Sequence, residues 1–276
     1  EWGQRNNRFY NPAASAFIPL SPFLCLSLQT MPIHRSLATR PITDEEFDLI
    51  DEAVMRCAYA VQNKFGRLFD EAIYENDLAA RLQAEGFDVH TQVPLQVVHG
   101  SFEKSYYLDL VVNHMLYELK VVKGLLPEHQ AQGLNYAMLQ DTRRVKLINF
   151  GESKVRSKLL RNALTTPDRH QPRMRASGWR ILTPQCESLV SHLRELIKDW
   201  GTHLDSHLYC EALIHHCGGE AHCLQRLDVS AGTLKLGSHL VQLFAPRHAF
   251  VVTAFPSYQP AWQRHLEVLL DHVALR

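Results

Sequence analysis

The stretch Tyr107-Leu-Asp-Leu-Val-Val-Asn-His-Met-Leu-Tyr-Glu-Leu-Lys-Val-Val122 decides how the chain is read. Branched and aromatic residues dominate it, and Asn113-His114 divides it into two runs of strand length joined by a tight turn. Side chains on a strand alternate between faces, so Glu118 and Lys120 point the same way. If the two runs pair as neighbours, Asp109 comes alongside them. Two acids and a lysine then share one face of an otherwise apolar sheet, where each unpartnered charge is costly. Two carboxylates suit a hard cation such as Mg²⁺. The lysine can serve a nucleophile or offset charge that builds on a phosphate.

Upstream, Thr43-Asp-Glu-Glu46 has the form of a capping box, and a helix is expected from there to about Asn63. Gly66 breaks it, and a second helix is expected over roughly 68–84. Its apolar arc takes in Leu68, Ala72, Tyr74, Leu78, Ala79 and Leu82, and Glu71 falls inside that arc. A carboxylate in that position needs a partner, either a structural salt bridge or a metal. Downstream, Pro127 opens a helix that ends near Gln140, with His129, Gln132, Tyr136 and Gln140 along one stripe. With strands at 89–98, 105–112, 116–122 and 145–150, the order is α-α-β-β-β-α-β, a small mixed sheet carrying helices. The second half reads as a short strand at 178–182, helices over 184–200 and 206–216, strands around 222–228, 234–244 and 248–255, and a helix over 259–274.

At 276 residues, 46% hydrophobic and 21% charged, the chain has the make-up of an ordinary soluble globular protein with one large domain or two modest ones. No apolar run reaches the length of a membrane span. Six irregularly spaced cysteines without a CxxC pair fit free thiols in a reducing cytoplasm. His215-His-Cys217 with His222-Cys223 matches no standard zinc spacing and is read as helix-end polar residues and core thiols. Residues 1–30 differ from the rest in their prolines and apolar run. They are expected to be a disordered leader ahead of a natural start at Met31, a signal peptide being the weaker reading.

Net charge is zero, yet its distribution is uneven. Asp44 to Asp88 holds twelve acids against four bases, and Arg143 to Arg180 holds eleven bases against two acids. The basic block, including Arg143, Arg144, Lys154, Arg156, Lys158 and Arg161, suits either a nucleic-acid backbone or a solvated connector.

Glu71, Asp109, Glu118-x-Lys120 and Gln132-x-x-x-Tyr136 therefore stand in order along the chain. The series resembles the PD-(D/E)xK nuclease superfamily, and its Gln-x-x-x-Tyr pair is similar to the helix motif of the recombination-exonuclease branch. More closely, the chain resembles the bacterial GxxExxY family. The carriers are Gly66, Glu71-Ala-Ile-Tyr74-Glu75, Asp109-Leu-Val-Val, Glu118-Leu-Lys120, His129-x-x-Gln132-x-x-Asn135-Tyr136 and Leu147-Ile-Asn-Phe-Gly151, spanning about 45–155. Leu68 stands where that family's naming glycine usually sits, and Leu108 where the superfamily has its proline. The resemblance implies an α/β (α+β) core, α-β-β-β-α-β, with a C-terminal α+β accessory domain. It also implies that Glu71, Asp109 and Glu118, with the Leu119 carbonyl, ligate Mg²⁺ or Mn²⁺. Lys120 would then orient the attacking water or offset charge, with Gln132 and Tyr136 positioning lysine and phosphate.

The expected organisation is a leader over 1–42, a nuclease-like domain over 43–155, a basic connector over 156–177 and an accessory domain over 178–276. The expected activity is cytoplasmic, metal-dependent phosphodiester hydrolysis on DNA or RNA. The alternative is a module that binds nucleic acid or protein on the same scaffold without cutting.

Overall fold

The computed structural model describes residues 32–172, 181, 183–253 and 259–273. Helix α1, Asp44–Phe65, starts at Thr43, whose hydroxyl accepts the Glu46 N–H at 3.1 Å while the Glu46 carboxylate accepts the Thr43 N–H at 2.9 Å. Phe47, Ile50, Val54, Ala58 and Val61 form its buried stripe. The chain turns at Gly66, which has a φ of 71° that costs an L residue with a side chain far more. Helix α2, Glu71–Ala84, begins three residues later than the apolar pattern suggests. Leu68 is 91% exposed and lies outside the helix, and Ala72 is exposed as well, so neither belongs to the arc. The cause is Tyr74: its phenol donates to the Gly66 carbonyl at 3.0 Å and accepts the Phe69 N–H at 3.2 Å, holding 66–70 as a loop.

Six strands form the main sheet in chain order: β1 Ile33–Arg35, β2 Val89–His99, β3 Phe102–Val112, β4 Met115–Lys120, β5 Arg144–Asn149 and β6 Arg156–Arg161. All neighbours are antiparallel except β4 and β5, whose parallel pairing needs the crossover helix α3, Pro127–Gln140. Asn113 and His114 make the two-residue β3–β4 turn with φ of 43° and 73°, the left-handed geometry that matches strand twist. One face of the sheet sends Leu110, Val112, Met115, Tyr117 and Ile148 against α1 and α2. The other sends Val111, Leu116, Val145 and Leu147 against Tyr136 and Ala137 of α3. Gly133 lets α3 lie close to β5, since a Cβ there would sit 2.9 Å from Leu147 Cδ2.

Where the sequence suggests a leader to residue 42, β1 joins the sheet, and residues 1–31 lie outside the described part. Where it suggests a connector over 156–177, β6 completes the sheet and α4, Thr166–Arg169, follows. The strand expected at 178–182 falls almost wholly outside the described residues. Helices α5, Pro184–Trp200, and α6, Ser206–His216, share a core with the sheet: Leu189, Leu196, Trp200, Leu208 and Leu213 pack with Leu95, Val97 and Phe102. Beyond them come α7, Glu220–Cys223, a three-stranded sheet of β7, Leu224–Ala231, β8, Leu234–Ala245, and β9, His248–Ala249, and then α8, Pro260–His272. The described residues belong to one compact unit, and none of their helices is long and apolar enough to cross a membrane.

Candidate active site

The site begins where the β3–β4 ladder ends. Pairing runs from Val112 with Met115 to Leu110 with Tyr117, and the next step would set Asp109 opposite Glu118. Two carboxylates in direct cross-strand register repel each other. Instead of continuing the ladder, Asp109 turns its own Oδ2 onto the Leu119 N–H at 2.7 Å. Asp109 is 8% exposed and Glu118 1% exposed. Lys120, two residues on and on the Glu118 face, donates from Nζ to Glu118 Oε1 at 2.7 Å and lies 4.0 Å from Asp109 Oδ2.

Helix α2 supplies the third acid from its first position. Glu71 is half-buried and lies within range of the charges of Lys120 and Asp109, without a hydrogen bond or ion pair to either. Helix α3 supplies the polar pair: Gln132 Nε2 donates to the Tyr136 phenol oxygen at 3.1 Å, and the charges of Glu118, Asp109 and Lys120 all reach that phenol. The other two members of the α3 stripe point elsewhere. His129 Nδ1 accepts the Leu126 N–H at 2.9 Å as a cap, and Gln140 donates to the Leu37 carbonyl at 2.7 Å.

Electrostatically the site is short of positive charge. Burial, reinforced by Asp109 and Glu71 and opposed by Lys120, pushes the Glu118 carboxyl up to about 8. Burial also raises Asp109 despite its bond from Leu119 and the nearby Lys120. Glu71 is raised by burial, with Lys120 pulling it back and Asp109 and Glu75 pushing it further. For Lys120, burial favours the neutral amine, but Glu118, Glu71 and Asp109 outweigh it and the ammonium is held more tightly than usual. Among the described residues no group of three or more His, Cys, Asp or Glu is arranged so that it could hold a metal ion. Glu118 Oε2 is buried and meets no N–H donor, and the proton that Glu118 retains is shared with the neighbouring Asp109 carboxylate.

Two further residues, Glu75 and Asn149, complete the setting; both fall inside the motif stretches, and neither is among the expected site residues. Glu75, one turn after Glu71, is 5% exposed, and its Oε2 accepts from Gln92 Nε2 at 2.7 Å. Its signal in the sequence is the i, i+4 spacing from Glu71. Asn149, fully buried at the end of β5, accepts the Val122 N–H at 3.0 Å and donates to the Val122 carbonyl at 2.9 Å, fixing the chain just past Lys120.

The basic residues are divided by the sheet. Arg156 pairs in register with Asn149, at the Lys120 end, where it is exposed beside Glu152 at 3.6 Å, and Lys154 is exposed just ahead of it. Lys158 is exposed midway along β6. Arg161 pairs with Arg144 at the opposite end. There Arg143 and Arg144 line a cavity of about 300 Å³ with Arg40, His114 and Thr165, and Arg144 is bound to Asp44. Sequence proximity thus grouped residues that the fold separates by the length of a strand.

Residues 48–162, which hold every one of the acids, the lysine and the Gln–Tyr pair, match the family model of the PD-(D/E)XK nuclease superfamily. No curated protein and no solved structure matches the chain.

Proposed function

On the match of residues 48–162 to the PD-(D/E)XK nuclease superfamily, we propose that this part of the chain is a divalent-metal-dependent nuclease of the GxxExxY type that hydrolyses phosphodiester bonds in DNA or RNA. The observation that supports this best is the meeting of Asp109, Glu118 and Lys120 on a splayed hairpin, within range of the Glu71 charge on a helix. By residue type the donor set suits a hard cation, with carboxylate oxygens outnumbering positive charge, though the acids as placed do not form a group of three that could hold one. Glu71, Asp109, Glu118 and the Leu119 carbonyl would hold Mg²⁺ or Mn²⁺. When bound, such an ion polarises a phosphoryl oxygen and lowers the pKa of water.

The chain's own groups do the rest. Lys120 keeps its proton and is the nearest ammonium, suited to orient the attacking water or to stabilise negative charge on the phosphate. The Tyr136 oxygen already accepts from Gln132, so its own O–H remains available to a phosphate oxygen, and burial keeps that phenol protonated. Lys154 and Arg156, at the same end of the sheet, suit the polymer backbone.

The test is incubation of labelled DNA and RNA, single- and double-stranded, with the full chain and Mg²⁺ or Mn²⁺. Cleavage that needs the ion and vanishes in Asp109→Asn, Glu118→Gln and Lys120→Ala supports the reading. One observation favours the second reading, a binding module that does not cut: Lys120 already closes on Glu118. Salt-sensitive binding with intact product, unchanged in those variants, would establish that reading instead.

A further inference from the structure

The three-stranded sheet ends in an open edge. Its order is β7-β8-β9, and among the described residues β7 pairs with β8 alone. In an antiparallel pair, alternate residues turn their backbone N–H and C=O toward the partner strand, and those between turn theirs away. The Ser230 carbonyl is one that turns away, since it accepts from His272 Nδ1 of α8 at 2.8 Å. Asp228 and Arg226, two and four residues back, therefore turn their backbone groups away as well. Among the described residues no side chain or loop meets those groups. An edge left open is a template for another strand, and proteins commonly blunt it with lysine, proline or a covering segment. Here His272 covers Ser230, while the stretch from Leu224 to Asp228 holds neither lysine nor proline.

What this stretch carries instead is one charge of each sign. Arg226 and Asp228 flank Leu227, are both exposed, and share a face of the strand. Arg226 has no ion pair among the described residues. Asp228 meets Lys235 at 2.8 Å, with the two side chains 66% and 67% exposed. A surface pair of that kind is worth little and exchanges cheaply. If β7 pairs antiparallel with a second β7 about a two-fold axis at Leu227, Arg226 of each copy falls opposite Asp228 of the other. Opposite charges directly across such a pair stabilise it, and like charges oppose it. Sliding one copy by two residues keeps the same backbone groups facing, yet sets Arg226 against Arg226 or Asp228 against Asp228. Only the register centred on Leu227 satisfies both charges.

We propose that the β7 edge joins two copies of this chain, strand to strand, through a two-fold axis at Leu227. A second copy is the occupant because the edge is complementary to itself, with opposite charges equally spaced about one residue. A contact of this kind uses the same patch on both copies and closes at two. β7 lies outside residues 48–162, which match the nuclease superfamily, so the proposal stands or falls apart from the nuclease reading.

The experiment is sedimentation velocity of the full chain over a wide range of concentration, with a thermal melt of each variant to show that it folds. The wild type is expected to pass from one chain to two as concentration rises. Arg226→Asp sets acid against acid across the axis, and Asp228→Arg sets base against base. Each is expected to raise the dissociation constant about tenfold or more. The double exchange, Arg226→Asp with Asp228→Arg, restores opposite charges and is expected to recover the dimer. A wild type that stays a single chain throughout overturns the proposal and leaves the edge to a strand from another protein. A dimer indifferent to both single exchanges, one that the double exchange does not recover, or an assembly larger than two overturns it as well. Should the charge variants not fold, Arg226→Pro carries the test. It removes an N–H that faces away from β8, a place where an edge strand accepts proline. Loss of the dimer then supports the proposal, and an unchanged dimer overturns it.

Discussion

At the scale of single residues, the buried charges are of two kinds. Arg169, 2% exposed, donates to the carbonyls of Thr202 at 2.9 Å, Met138 at 3.0 Å and Trp200, and thereby ties the end of α3 to the end of α5. Arg169→Leu keeps the bulk but leaves the Thr202 and Trp200 carbonyls without a donor and the Met138 carbonyl with only the Asp141 N–H, and a buried carbonyl without a donor costs about 1–3 kcal/mol. The expected loss is about 3–5 kcal/mol, read from the urea midpoint at constant slope. Glu118 is the opposite case, an acid crowded by Asp109 and Glu71 and only partly answered by Lys120. Glu118→Gln is expected to end cleavage and to raise the stability of the metal-free chain by about 1 kcal/mol, the trade usual at functional sites. A destabilised metal-free variant would contradict it. Glu118 and Lys120 are legible in sequence because strand alternation puts them on one face, and Asp109 because the two-residue turn pairs its strand with theirs. Glu75 and Asn149 fall within the motif stretches, but their partners Gln92 and Val122 lie elsewhere in the chain and cannot be read from them.

At the scale of elements, boundaries follow contacts that periodicity does not carry. The apolar pattern of α2 runs on to Leu68, yet the helix opens at Glu71 because Tyr74 holds the preceding loop. The seam between β2 and the C-terminal helices is another contact of this sort. The His216 ring lies 5.2 Å from each of the rings of His99 at the end of β2, His192 on α5 and His215 on α6. Its Nε2 is buried without a partner. Asp199 answers His99 at 2.6 Å, and Ser101 meets His215 at 2.9 Å. Burial first, then the three neighbouring imidazoles, hold His216 below its ordinary value of 6.5. The unfolded chain therefore takes up a proton there before the folded one does. The His216 contribution is intact above about pH 6.5 and is lost as pH falls below it. The thermal midpoint is expected to fall between pH 7.5 and 5.5, and His216→Phe to flatten that slope. Equal slopes in variant and wild type would remove the seam from the account.

At the scale of the whole molecule, the stretch around the site is legible because its signals are local: a capping box, a two-residue turn, alternation, and a proline at the start of a helix. The edge strands β1 and β6 are less so, since three residues or a run of basic side chains give no apolar alternation to read. The relation between the two halves is the least legible, because it depends on which surfaces meet. Leu95, Val97, Phe102, Met138 and Leu139 belong to the sheet and α3, and all five lie in one core with α5 and α6. Fully burying a large apolar side chain is worth about 1.5–3 kcal/mol, so exposing five of them removes roughly 7–15 kcal/mol. Entire domains are stable by only about 5–15 kcal/mol. A fragment comprising residues 32–172, although it carries every residue of the site, is therefore expected to aggregate or to lack a cooperative melt in size-exclusion and circular-dichroism measurements. The full chain should melt in one transition through that core. A monomeric fragment with a sharp melt would show instead that the C-terminal helices are an independent addition, the arrangement that the sequence suggests from residue 178.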